Sequence, residues 1–239
     1  MPSETLVFIP PMLCDAGVFG PQILAMANDH AVMFAPTTKG ERMEEIASQI
    51  LTWAPGKFAL AGMGMGGMVA MEMIRRAPDR VTRIALIATS AQSETPDAAA
   101  AREPQIVAAR SGARWQEVLE AEIKSGWMAP TTDRVALARH LTQMGQVLGP
   151  AVYVSQSRAM QRRKDQQATL GKIRQPAVVI GGRHDGQYPV KRQEFIAEMI
   201  PYARLEIIED AGYLPTLEAP DQVTDVLRRW MSAPQVARD

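Results

Sequence analysis

The stretch FALAGMGMGGMVAMEMI, residues 58–74, decides how the rest of the chain is read. A short apolar run leads into glycines at 62, 64 and 67, and a helix-like pattern follows. The spacing matches the G-x-G-x-x-G fingerprint that wraps a dinucleotide pyrophosphate. With serine in place of Gly64 the same residues would read G-x-S-x-G, the sharp strand-to-helix turn that mounts a nucleophile. The two readings make different demands on the remaining residues.

Strand and helix signals alternate outward from this turn. Short apolar, β-branched runs occur at 5–9, 31–35, 58–62, 83–88, 177–182 and 204–209, and helical patterns at 41–54, 66–77, 190–200 and 219–231. The alternation predicts a mostly parallel central sheet flanked by helices on both faces. Residues 91–173 break the rhythm with helical patterns and no strand, so they are expected to form a helical lid inserted in one domain. Its core would be 1–90 together with 174–239. The cluster Arg162, Arg163 and Lys164 inside the insertion reads as a solvated helix end. The methionines between Met63 and Met73 read as packing residues.

Composition narrows the function classes. The chain has 239 residues, 46% of them hydrophobic, with 26 Lys plus Arg against 26 Asp plus Glu and no basic block. This carries no electrostatic footprint for nucleic acid. No run is long enough to span a bilayer, and the first residues lack a basic, apolar leader, so the expectation is a cytoplasmic protein without a membrane partner. The single cysteine, Cys14, excludes an internal disulfide. Beside a Pro-rich turn and with no histidine expected near it, Cys14 reads as a packed residue rather than a nucleophile. Oligomeric state is left open.

The dinucleotide reading fails on its second requirement. A ribose-binding carboxylate belongs at the end of the next strand, but that strand ends LIATSA, and the glycine turn follows the third strand rather than the first. The nucleophile-turn reading explains distant segments instead. VFIPPMLCDAGVFGPQ resembles the oxyanion-loop segment of the α/β-hydrolase family. AVVIGGRHDGQYP resembles its acid-bearing strand end, and IPYARLEIIEDAGYLPTLEAPDQV its histidine loop and last helix. The resemblance covers nearly the whole chain and implies an α/β-hydrolase fold with a helical lid.

The resemblance implies roles residue by residue, and two of them come up empty. Asp185 takes the acid position. The oxyanion donors map to the backbone N–H of Met65 and of Met12 or Leu13. The nucleophile position is Gly64, without a side chain, and the histidine position is Tyr213, whose phenol is protonated at neutral pH. Glycine suits the strained elbow once a hydroxyl is dispensed with. Trp127, Met128 and Tyr153 are candidates to line a substrate cavity, with Trp115 and Met144 as further ones. His184 is expected to point away from Asp185, and His30 and His140 to be structural.

Three readings of function stand side by side. One is a cofactor-independent enzyme acting on a small carbonyl substrate by lyase, isomerase, decarboxylase or water-mediated chemistry, with Tyr213 oriented by Asp185 as proton donor. Another is an inactive fold member that binds a ligand or partner. The third, a dinucleotide enzyme, is set aside by the missing carboxylate, so neither cofactor nor metal is expected.

Overall fold

The computed structural model describes residues 4–234. The chain runs β1 (Leu6–Ile9), α1 (Gly20–Met26), β2 (Val32–Phe34), α2 (Met43–Trp53), β3 (Phe58–Met63), α3 (Met65–Arg76) and β4 (Val81–Ile87). A wholly helical stretch follows: α4 (Pro96–Ala101), α5 (Glu103–Ser111), α6 (Trp115–Glu122), α7 (Arg134–Gln161) and α8 (Gln167–Leu170). The chain then returns through β5 (Ala177–Gly182), α9 (Val190–Met199), β6 (Arg204–Ile208), α10 (Pro215–Glu218) and α11 (Pro220–Ser232). All strand pairings are parallel, in the order β2-β1-β3-β4-β5-β6.

Side-chain alternation along the strands explains the two-faced core. Val7, Ile9, Leu60, Leu86 and Val179 pack on one face against α2 and α3 residues such as Ile46, Ile50 and Val69. Leu6, Phe8, Ala61, Ile87 and Ile180 face the opposite way and meet Val223, Leu227 and Trp230 of α11. Strands β3 and β5 are buried along their whole length, which is why they read as continuous apolar runs rather than alternating ones.

The inserted helices bury a smaller core of their own around Ile106, Trp115, Leu119 and Tyr153. The helical patterns of the insertion at 133–148 and over the first part of 152–173 meet in a single element, α7, which is bent where Gly149 adopts φ 80° ahead of Pro150, while α8 stands apart from it. The triplet expected to be a solvated helix end is instead paired throughout: Arg162 with Glu41, Arg163 with Glu94 and Lys164 with Glu44. Arg163 is 90% buried as a side chain, so its charge is part of the insertion's anchoring.

Order reversal around β1 and β3 sets the functional end. Strand β2 lies on one side of β1 and β3 on the other, so the carboxyl ends of β1 and β3 open the crevice in which sheets of this kind bind ligands.

Candidate active site

The elbow expected at 62–67 is present. Strand β3 ends at Met63 and α3 begins at Met65, and Gly64 between them has φ 54° and ψ −119°. Its N–H donates to the Ile87 carbonyl at 2.9 Å, and its own carbonyl accepts the Thr89 hydroxyl at 2.6 Å. Gly66 lets the first turn of α3 press against the end of β1, since a Cβ there would lie 2.1 Å from the Ile9 carbonyl oxygen. The glycines thus serve a close approach of helix and strand, with no need for a phosphate between them.

The loops after β1 and β6 come over this turn. A Cβ at position 64 would lie 2.5 Å from the Tyr213 hydroxyl oxygen and 2.9 Å from Pro11 Cβ. Tyr213 therefore fills the space into which a side chain at the elbow would project. Its ring meets Tyr188 at 5.7 Å and Trp127, edge on, at 5.9 Å between centroids. Burial pushes the phenol pKa well above its ordinary value, and the neighbouring Tyr188, Cys14, Asp185 and Glu122 add to the shift, so the hydroxyl keeps its proton.

Asp185 follows β5 at the same end of the sheet, but it does not orient Tyr213. One carboxylate oxygen accepts the N–H groups of Gln187 and Tyr188 at 2.7 and 2.8 Å. The other oxygen is buried without a hydrogen-bond partner. Desolvation raises the pKa to about 6 against the two amide hydrogen bonds, with Glu218 adding to the rise. The expected Asp185–Tyr213 pair is corrected accordingly: tyrosine places its oxygen over Gly64, and the local amides hold the carboxylate.

The expected oxyanion donors divide as well. Met65 opens α3, where backbone N–H groups have no intrahelical acceptor. The Leu13 N–H is already taken, donating at 3.0 Å to the side chain of Gln156 on α7, which in turn donates to the Thr37 hydroxyl at 2.9 Å. Leu13 itself has φ 59°, a left-handed conformation rare for leucine, and Gln156 braces it. Met12 and Met65 both line the cavity described below.

Beside the elbow lies a cavity with about 80 Å³ open to a water-sized sphere, room for several waters or a small ligand. Met12, Met65, Trp127, Met128, Tyr188 and Tyr213 form much of its wall. Of the three candidate lining residues, Trp127 and Met128 face it. Tyr153 does not: it is fully buried inside the insertion, its ring tilted against that of Trp115 at 5.7 Å between centroids and its hydroxyl donating to Glu122 at 2.9 Å. Trp115 and Met144 also sit in packed clusters away from the wall. Cys14 lines the cavity, but burial lifts its pKa to about 12, so it rests as a thiol. His140 and His184 are exposed, and Asp185 is buried, so the neighbours 184 and 185 do point apart.

Glu218, which the sequence did not single out, ties the two sides of the cavity together. Its carboxylate accepts the Leu214 N–H at 2.9 Å from one side, and the Ala129 N–H at 2.7 Å and Thr132 hydroxyl at 2.8 Å from the other. The Tyr213 N–H adds a bond of 2.7 Å to the Trp127 carbonyl. Among the described residues no group of three or more His, Cys, Asp or Glu side chains is placed to hold a metal ion.

Residues 27–226 match the description of the alpha/beta hydrolase family. The chain belongs to that family. It is 29% identical over 216 residues to a pimeloyl-(acyl-carrier protein) methyl ester esterase of Aromatoleum aromaticum, covering 80% of this chain and 82% of that protein. A thermophilic esterase from Thermogutta terrifontis, solved with malate bound, superposes with a TM-score of 0.86 at 23% identity, over 96% of this chain and 90% of the other. The enol-lactonase from Burkholderia xenovorans LB400 does so with 0.85 at 21%, over 98% and 93%. At these identities the superpositions establish the fold.

These relatives overturn the reaction expected from the sequence. The lyase, isomerase, decarboxylase and water-mediated routes, and the inactive alternative beside them, were inferred from two missing side chains. The proteins this chain is similar to are named as esterases and a lactonase, not as lyases, isomerases or decarboxylases. No described helix is long and apolar enough to cross a membrane.

Proposed function

We propose that the cavity beside Gly64 receives a carboxylic ester or lactone, the compound class named for the esterases and lactonases that this chain resembles. The observation that carries the reading is the retained elbow: Gly64 at φ 54° holds the Met65 N–H at the start of α3, on the wall of a mostly apolar cavity. An ester carbonyl entering there meets a helix N-terminus, whose N–H groups and dipole favour a partly negative oxygen. Met12, on the opposing loop, is the second donor in this reading. The helices between β4 and β5 act as the lid that closes over the ester's apolar part.

The same proposal holds that the triad is degenerate. Gly64 stands at the nucleophile position and Tyr213 at the histidine position, while Asp185 keeps the acid position with one oxygen unpartnered. The steric relation between 64 and 213 makes the two replacements interdependent, because a serine hydroxymethyl group and the tyrosine hydroxyl compete for one space.

Two measurements test this. Titration with methyl pentanoate, followed through Trp127 fluorescence, is expected to saturate; no response would remove the ester reading. A fluorophosphonate reagent is expected to leave the native chain and Gly64→Ser unlabelled at residue 64 but to label Gly64→Ser/Tyr213→His. Labelling of Gly64→Ser alone would contradict the competition for space.

A further inference from the structure

The cavity has a charged end that the ester reading does not use. Arg102, at the junction of α4 and α5, lines it, and so do Glu122 and Lys124. Arg102 is not a free surface side chain. Its Nε and Nη2 donate to the two carboxylate oxygens of Glu94 at 2.8 and 3.0 Å, and Glu94 is itself almost fully buried and takes a second cation, Arg163, at 2.8 Å. Such a two-point clamp fixes the guanidinium plane. It leaves Nη1 of Arg102 without a partner among the described residues.

The cavity wall itself is unevenly charged. Glu94 is one anion shared by two arginines, and Lys124, resting on the Trp127 ring at 4.8 Å, adds a third cation; Glu122 is the carboxylate on the wall, while Asp185 is turned to the Gln187 and Tyr188 amides. Glu122 is tethered by the Tyr153 hydroxyl. Arg102 and Lys124 thus give this end of an otherwise apolar cavity two cations against one lining carboxylate. Arg102 shares the cavity wall with Tyr188, the ring that packs on Tyr213, and together with Arg163 it lowers the buried phenol of Tyr188 against the upward pull of burial and of Asp185.

Resting on the ester reading above, we propose that the ligand is a short ester bearing a carboxylate, and that Arg102 receives that carboxylate through Nη1. The clamp by Glu94 and Arg163 orients the guanidinium in advance, which reduces the ordering cost at binding. The ester group faces the elbow, and the apolar chain between the two ends runs past Met12, Met65 and Met128, whose unbranched side chains adapt to its shape. Arg102 is on this view the residue that separates anionic esters from neutral ones of equal size.

The test compares monomethyl glutarate with its neutral isostere, methyl 4-carbamoylbutanoate, by calorimetry on the full chain at neutral pH and low salt. The anion is expected to bind about tenfold tighter, or more, as a charge-assisted hydrogen bond replaces a neutral one. Raising the salt should narrow the gap. Arg102→Gln should bring the two compounds to equal affinity, and a cooperative thermal melt of the variant reports that it is folded. Equal binding of both compounds by the native chain overturns this proposal and leaves the ester reading standing. A preference that survives Arg102→Gln overturns it too, whereas failure of both compounds to bind removes it together with the ester reading.

Discussion

The two walls of the cavity are built by different means. The wall made by the sheet is backbone: glycines at 64 and 66 bring α3 against the end of β1, and a Cβ at either would collide with its neighbours. The wall made by the insertion is held by side chains acting over long sequence distances, with Gln156 bracing Leu13 and Glu218 bridging Leu214 to Ala129 and Thr132. The first wall leaves little room for change without loss of the fold. The second is the wall on which Arg102, the proposed carboxylate partner, is mounted. The turn and the side chains packed over it thus belong to separate structural regimes, and glycine at 64 holds the elbow without a side chain of its own.

Three experiments sharpen that contrast. The largest effect is expected for Gly66→Ala, whose Cβ would meet the backbone oxygen of Ile9 at 2.1 Å. Because neither helix nor strand can yield cheaply, a loss of about 4 kcal/mol or more is expected in denaturant titration. A loss below about 1 kcal/mol would mean the sheet wall is as forgiving as the other.

Next is the pH response of Asp185. Its pKa is raised from 3.8 to about 6 in the folded chain, so the native state binds the extra proton. The favourable contribution is complete below the unfolded value and is lost as pH rises through about 6. The ceiling on the change is about 3 kcal/mol. Asp185→Asn should flatten the dependence of melting temperature on pH between 4 and 7. A variant with the native slope would assign that slope to other groups.

The smallest effect belongs to the insertion wall. Glu218→Gln keeps the size and one acceptor but exchanges the other for a donor that faces N–H groups. A cost of about 1–2 kcal/mol is expected, with weaker ester binding and no change in the elbow. Loss of folding in this variant would show that Glu218 belongs to the rigid wall after all.

The contrast also explains what was legible in the sequence. The central strands were readable because burial on both faces leaves unbroken apolar runs such as AVVIGG, the edge strands β2 and β6 by their short apolar runs alone, and Gly64, Asp185 and Tyr213 were found because each follows a strand with a recognisable local pattern. The short helices α1 and α10 were missed, having too few turns to display a period. Gln156 and Glu218 were beyond reach because their roles depend on partners far along the chain; Gln156 acts on a residue 143 positions away and Glu218 on one 89 away. Tyr153 was misplaced because an aromatic residue at helical spacing has the same signature whether it faces a cavity or a packed interior. Leu13 was misread for a related reason, since the sequence marks the turn but not the side chain that claims its N–H.

Cys14 offers a built-in clock. It is the chain's single cysteine, sits on the loop that Gln156 braces, and is sheltered with a thiol that stays protonated under ordinary conditions. Alkylating reagents reach it through the cavity it lines or when that loop swings out, so the rate at which the sulfur is consumed counts how often either route is open. A bound ester that fastens the loop would slow the count, giving a readout of occupancy that needs no turnover.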